Sequence, residues 1–372
     1  MTKLGIGLIG CGNISTTYLD LAPLFKAVEI RSVTDLNTDL AAEKAATYGV
    51  RAESLDEMLA ADDIDMVVNL TIPEAHYATS KQALEAGKHV YSEKPFVLTL
   101  EEGKELKALA EAKGVRLGAS PDTFLGGSHQ QARAALDAGD IGRVVSGTCH
   151  VMSHGMEHWH PNPDFFFRPG GGPVLDLGPY YLTNLVQLLG PVARVHAASD
   201  TPFKTRTIGN GPRDGEDVPV TTPTTFHAIL QFASGAIVTL GASWDVWAHR
   251  HDHMELYGTD GSMFLPDPNF FGGVVKQAGP DGEVKEMAIT DHPFFVDNQP
   301  GQANYRTAGA ADMAQAVLDG RAHRCNGDMA LHVVDVMTGI LKAGEAGQAI
   351  DMTTTCDRPE PLSPTAASAL LA

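Results

Sequence analysis

Two glycines spaced one residue apart, Gly10 and Gly12, close an apolar run at 4–9 and open onto Asn13, Ile14 and Ser15. At a strand-to-helix turn, a side chain at either position would keep the backbone away from a pyrophosphate. The helix start there offers unpaired N–H groups and the positive end of its dipole. Dinucleotide binding is the chemistry this spacing suits. Ser15 stands where the G-x-G-x-x-G fingerprint has its third glycine; it is small enough for close helix packing, but it weakens the match, and an ordinary tight turn is the competing reading. Asp35 tips the balance. It lies at the end of the second strand, about 20 residues past the glycines, where a carboxylate accepts both ribose hydroxyls and repels a 2′-phosphate. Leu36 follows it, with no adjacent arginine on the C-terminal side, so NAD is expected rather than NADP. A plain turn or capping carboxylate is the alternative role for Asp35.

Two further segments fall at the carboxyl ends of later strands, where open α/β sheets bind ligands. One is 69–76, with Thr71, Pro73 and His76; the other is 91–95, with Glu93 and Lys94.

These residues need a scaffold, and the first 120 or so residues supply its pattern. Strands are predicted at 4–9, 28–35, 66–70, 89–92 and 116–119. Helices are predicted at 14–24, 39–48, 55–60, 75–86 and 100–113, the last with a Thr99/Glu102 capping box. Each strand precedes a crossover helix, which predicts a parallel α/β Rossmann domain over 1–122. After a helical segment at 127–138 the pattern turns to longer alternating runs at 144–152, 192–198, 224–232 and 236–243, the last two joined by a Ser234-Gly235 turn. The expectation for 123–372 is an α+β domain with an open, mostly antiparallel sheet that binds substrate and joins subunits. Segments 202–223 and 266–282 read as surface loops, and 308–318 and 329–341 as helices. The tail 359–372 is expected to lie on the surface or to reach a neighbouring subunit.

Composition narrows the function. The 46 acidic and 27 basic residues give a formal charge of −19, which repels nucleic acid and anionic lipid. No apolar stretch is long enough to span a membrane, and the first residues run straight into a strand, so a cytoplasmic location is expected. Cys11, Cys149, Cys325 and Cys356 lack paired spacing and read as reduced thiols.

The chain resembles the glucose-fructose oxidoreductase and inositol dehydrogenase family, Gfo/Idh/MocA, over essentially its whole length. The resemblance is carried by Gly10-Cys-Gly-Asn-Ile14, Thr71-Ile-Pro73 with His76, Glu93-Lys-Pro95, and Gly170-Gly-Gly-Pro-Val-Leu-Asp-Leu-Gly-Pro-Tyr180. It implies a nicotinamide and a substrate meeting between the two domains, with Lys94 facing the substrate and Asp176 and Tyr180 completing the centre. Tyrosine here replaces the family's commoner histidine.

Oxidising a secondary alcohol requires a hydride acceptor and a base for the hydroxyl proton. Tyr180 can be that base only if its pKa falls well below about 10, which the Lys94 ammonium would favour. Asp176, four residues before Tyr180, shares a helix face with it and can orient the hydroxyl or Lys94. Tyr181 is the competing tyrosine, since either one could be the residue packed in the core. On the substrate side, His154, Glu157, His158 and His160 raise the question of a metal, but they lack an HExxH spacing, and hydride transfer needs none. A sugar-lining loop using His158 and Trp159 is expected instead. Arg168 either binds a substrate oxygen or pairs with a carboxylate. Trp244 and Trp247 read as core residues, with a sugar platform as the alternative. The expected activity is NAD-dependent oxidation of a sugar, anhydrosugar, glycoside or inositol-type polyol. A redox-assisted NAD-dependent glycosidase and a non-catalytic NAD-binding sensor are the alternatives. An apolar sheet face carrying Phe226, Leu230 and Phe232 needs helices or a partner to cover it, and a homodimer or homotetramer joined through these sheets is expected.

Overall fold

The structure is a computed structural model that describes residues 3–372. Met1 and Thr2, from which the chain is expected to run into its first strand, lie outside the described residues.

The first compact unit comprises residues up to Gly127 together with Asp291–Val334 and Pro359–Ala372. Its sheet contains β1 (Leu4–Ile9), β2 (Val28–Thr34), β3 (Arg51–Ala52), β4 (Met66–Asn69), β5 (His89–Ser92) and β6 (Leu117–Ala119) in the order β3-β2-β1-β4-β5-β6, with every pair parallel. Every residue of β1 and β4 is buried, as expected of central parallel strands covered on both faces. The crossover helices are α1 (Asn13–Leu21), α2 (Thr38–Tyr48), α3 (Leu55–Ala60), α4 (Pro73–Glu85) and α5 (Leu100–Lys113). Side chains set their starts: Asn37 caps α2, Ser54 and Glu57 form a capping box on α3, and Thr99 and Glu102 form the expected one on α5. The strand order reverses between β1 and β4, and that switch point is where such sheets bind ligands.

The second unit comprises Ser128–Thr290 and Asp335–Arg358. The single boundary at 122 expected from sequence therefore differs from this division, in which two later segments return to the first unit. Helix α6 (Gly127–Ala138) leads into β7 (Val144–Met152), then α7 (Pro173–Asp176), α8 (Gly178–Leu189), β8 (Val192–Asp200), β9 (Thr205–Thr207), β10 (Asp217–Pro219), β11 (Thr225–Phe232), β12 (Ile237–Ser243), β13 (Met254–Gly258), β14 (Ser262–Leu265), β15 (Lys276–Ala278), β16 (Val284–Glu286) and, after a return, β17 (Ile350–Asp351). Nine of these strands form a sheet of order β16-β15-β14-β13-β7-β12-β11-β8-β17. It is antiparallel except for the β7–β12 pair.

Several expectations are corrected here. Segment 202–223 is not a plain loop, because β9 and β10 pair within it. Segment 266–282 contains β15. Phe226, Leu230 and Phe232 are buried at 1%, 0% and 3%, so they are not an uncovered face. Gly344, in the later turns of α10 (Gly327–Ala346), lies so close that a Cβ there would come within 3.4 Å of Phe226. The outward face of β11 and β12 instead carries His227, Ile229, Ile237 and Thr239. The tail is also held within its own unit: Leu362 and Leu370 are buried, Lys26 donates its N–H to the Leu370 carbonyl, and Ala372 donates to Leu24. Among the described residues, no helix is long and apolar enough to cross a membrane.

Candidate active site

In the first unit the glycine turn is built as the cofactor reading requires. Gly10 sits at φ 99°, and a Cβ on it would lie 2.6 Å from the Leu70 carbonyl oxygen, so this position tolerates no side chain. A Cβ at Gly12 would meet nothing within 4 Å, which leaves open space in front of the start of α1. Ser15 is fully buried, and its hydroxyl donates back to the Gly12 carbonyl at 2.6 Å. A small side chain thus takes the third glycine's place without pushing the helix away.

Asp35 follows β2 and lines a cleft of about 720 Å³ together with Gly10, Gly12, Leu36, Thr71 and Ile72. Its Oδ2 accepts the Cys11 N–H at 2.7 Å and its Oδ1 the Asn37 N–H at 2.8 Å. Asp35 therefore ties the glycine turn to the end of β2, and it is a turn carboxylate as well as a lining one. Each oxygen keeps a second lone pair that can accept a hydroxyl. Burial, with the Asp35 charge adding to it, pushes the Cys11 thiol up to about 11, so it remains protonated. Exposed Leu36 and Ile72, and Thr79 on α4, line the same cleft, and sequence reasoning missed them. Apolar residues at strand ends carry no periodic signal that distinguishes a ligand wall from ordinary surface.

His76 departs from its expected role as a cofactor contact. It is 1% exposed, with Nδ1 2.7 Å from the Pro95 carbonyl and Nε2 3.0 Å from that of Thr71. Burial lowers its pKa. It clamps the Thr71 turn to the Glu93-Lys-Pro95 segment from behind. Thr71 is held by Asn69, whose Oδ1 accepts both its N–H and its hydroxyl, while Pro73 begins α4. Glu93 also acts on this segment from within: it accepts from Tyr18 at 3.0 Å, from Ser120 at 3.2 Å and from the Lys94 N–H at 2.9 Å. The backbone that bears Lys94 is fixed by these bonds, and the Lys94 side chain is partly exposed.

In the second unit the triple glycine shapes the approach to α7. A Cβ at Gly171 would lie 2.4 Å from the Phe165 carbonyl oxygen, and Gly172 donates its N–H to Phe166. Asp176 ends α7, and Leu177 keeps right-handed helical angles, so Tyr180 follows one turn later on the same side. Both are partly exposed. Tyr181 resolves the choice between the two tyrosines. It is 2% exposed, and its hydroxyl is 2.9 Å from His253 Nδ1 and 3.3 Å from Asp267. The inward tyrosine is Tyr181, and Tyr180 is the partly exposed one.

Several candidate ligands of the histidine-rich loop have protein partners of their own. His154 stacks on Trp247, His160 packs edge-on to Trp159, Phe165 and Phe166, and Glu157 pairs with Arg206. His158 and Trp159 are exposed, and Asn210 donates to the Trp159 carbonyl. Arg168 is largely exposed and lies 3.6 Å from Asp164, so its pairing reading has a partner. Asp164 is bound more tightly by Arg213 at 2.5 Å, which holds its carboxyl below the usual range. Trp244 is core, as expected; Trp247, 81% exposed, is not.

Residues 4–120 match the family model described as an oxidoreductase family with an NAD-binding Rossmann fold, and residues 129–264 match the GFO/IDH/MocA C-terminal domain. The chain belongs to the Gfo/Idh/MocA family. Among curated relatives, an uncharacterized oxidoreductase of Schizosaccharomyces pombe is 36% identical over 141 residues. That match spans only 37% of this chain and 37% of the relative. The levoglucosan dehydrogenase of Pseudarthrobacter phenanthrenivorans is 27% identical over 294 residues, covering 71% of this chain and 73% of that protein. The crystal structure of an NAD-binding oxidoreductase from Klebsiella pneumoniae aligns with a TM-score of 0.83 at 21% identity, covering 95% of this chain and 99% of that one. This family member thus pairs an NAD-binding Rossmann sheet with the mixed, mostly antiparallel sheet of the family's second domain.

Proposed function

We propose that this protein is an NAD-dependent dehydrogenase that oxidises a secondary hydroxyl of a sugar, anhydrosugar, glycoside or inositol-type polyol. The observation that carries the proposal is the cleft at the switch point of the parallel sheet, where an open glycine turn faces Asp35. The donor set fits the cofactor: N–H groups at the start of α1 for a pyrophosphate, and a carboxylate with spare lone pairs for ribose hydroxyls. The substrate class rests on similarity to levoglucosan dehydrogenase over 71% of the chain.

When bound, NAD supplies the hydride acceptor. In this reading Tyr180 takes the hydroxyl proton, and Asp176, one turn earlier, orients the hydroxyl that gives it up. Lys94 holds the substrate oxygen and offsets the negative charge that grows on it. Glu93, Tyr18 and Ser120 keep the Lys94 backbone in place. His158, Trp159 and Arg168 are assigned to the rest of the ligand.

A screen for NADH formation against polyols, aldoses, anhydrosugars and glycosides tests the reading. Reduction with at least one member of these classes is expected. If the protein binds NAD tightly yet reduces it with none of them, the reading fails.

A further inference from the structure

The cleft of the first unit runs across the carboxyl ends of three neighbouring strands, and the sheet order β3-β2-β1 decides what each part of it can meet. The glycine turn follows β1, Asp35 follows β2 and Glu53 follows β3, and all three line the cleft. Neighbouring strands lie about 4.8 Å apart. A dinucleotide with its pyrophosphate at the glycine turn and its ribose at Asp35 therefore carries its base on towards β3. The lining residues at that strand are Ala52, Glu53, Ser54 and Leu55.

Of the two polar side chains in this group, Ser54 is already spent. Its hydroxyl accepts the Glu57 N–H at 3.3 Å and donates to Glu57 Oε2 at 2.7 Å, as the capping box of α3. Glu53 is only half spent. Its backbone N–H donates to the Val33 carbonyl at 3.2 Å, which ties it to β2. Its Oε1 accepts from Arg51 Nε at 2.6 Å, and Arg51 is locked in turn by bonds to Asp63 at 2.8 and 3.0 Å. Oε2, by contrast, is buried and has no hydrogen-bond partner. A buried carboxylate oxygen without a donor is unfavourable, so a ligand that brings an N–H to this edge of the cleft gains by completing it.

Among the described residues that line the cleft, Asp35 and Glu53 are acidic and none is basic. The wall at the base end thus accepts hydrogen bonds and offers no cation. Position 6 of a purine reads that difference directly, because an amino group there donates whereas an oxo group presents lone pairs. A carboxylate oxygen attracts the first and repels the second. Exposed Leu36 and Ile72 line the same cleft and suit the flat faces of such a ring.

We propose that Glu53 is a specificity-determining residue whose Oε2 accepts the 6-amino group of an adenine base and rejects 6-oxo purines. The proposal rests on NAD as the ligand of this cleft and is independent of the alcohol oxidised. A protein that reduces NAD with no sugar or polyol removes the dehydrogenase reading and leaves this one intact.

Calorimetric titration of the full chain tests it, with NAD and with nicotinamide hypoxanthine dinucleotide, which carries a 6-oxo group in place of the amine. NAD should bind about tenfold or more tightly than the analogue, a comparison that needs no variant. Glu53→Gln keeps the size of the side chain and can turn its amide N–H towards the 6-oxo group, so the gap should close to about threefold or less. Glu53→Ala should weaken NAD and leave the analogue unweakened. Asp35→Ser should weaken both dinucleotides alike, since Asp35 serves the ribose. Equal affinities in the wild type, tighter binding of the analogue, or a gap unchanged in both Glu53 variants would each overturn the proposal.

Discussion

Tyr180 and Tyr181 are neighbours in sequence that differ in burial. Tyr181 is satisfied by His253 and Asp267 inside the second unit, whereas Tyr180 keeps partial exposure. Replacing Tyr180 with Phe should lower turnover by roughly 10²–10⁴-fold, the usual loss for a general base, with NAD affinity nearly unchanged. Lys94→Ala should lower turnover and also weaken the substrate, because the ammonium both holds and stabilises the reacting oxygen. Pre-steady-state NADH formation separates the two effects, and a Phe variant retaining more than half the turnover would remove Tyr180 from the role. Asp35 carries the cofactor prediction. NAD should bind at least about tenfold more tightly than NADP, and Asp35→Ser should narrow the gap; matching titration curves for the two cofactors in the wild type would contradict it. As candidates these residues stand out because their signals are local: a glycine pair, an acid at a strand end, a lysine before a proline. Arg206 does not, because its meaning comes from Glu157 and Asp245, 49 and 39 residues away.

At the scale of elements, the parallel sheet was legible because β1 and β4, buried along their whole length, read as short apolar runs, and because the Thr99 and Glu102 capping box marks the start of α5. Strands β13 to β16 were missed. They are three to five residues long, too short for alternation to stand out from turn-rich flanks. Alternation in β11 shows that two faces differ but not whether helices of the chain or a partner covers the apolar one that carries Phe226. Helix α9 (Ala308–Asp319) shows another long-range link: Asp122 Oδ2 accepts the N–H groups of Thr307 and Gly309 at its start, both at 3.0 Å. Burial raises the Asp122 carboxyl to about 6 despite these bonds. Unfolded, it ionises near about 3.9. Between these values the native state holds a proton that the unfolded state has lost, so stability falls as pH rises from about 4 to about 6 and then levels off. Asp122→Asn keeps an acceptor oxygen and cannot ionise. Relative to wild type it should gain on the order of 1–3 kcal/mol across that window, read from urea midpoints at pH 4 and pH 7. A difference that does not change with pH would show that Asp122 does not titrate there.

For the molecule as a whole, the two-part organisation was legible but its boundaries were not, because segments 291–334 and 359–372 rejoin the first unit through contacts that no local pattern announces. The outward face of the nine-stranded sheet exposes Ile229 at 43% and Ile237 at 46%, and on that ground we propose a homodimer or homotetramer joined through this sheet. Light scattering at micromolar protein should give a multiple of the 39.5 kDa chain mass, and Ile229→Asp with Ile237→Asp should reduce it; a monomeric mass for the wild type would contradict this. Hydride transfer from a sugar or polyol carbinol to NAD can be followed by isotope. An accepted substrate deuterated at the oxidised carbon is incubated with the protein and NAD, and the nicotinamide is analysed by mass. Deuterium is expected in the accumulated NADH, one atom for each alcohol oxidised. NADH without deuterium, or glycosidic cleavage with no net NADH, would contradict it.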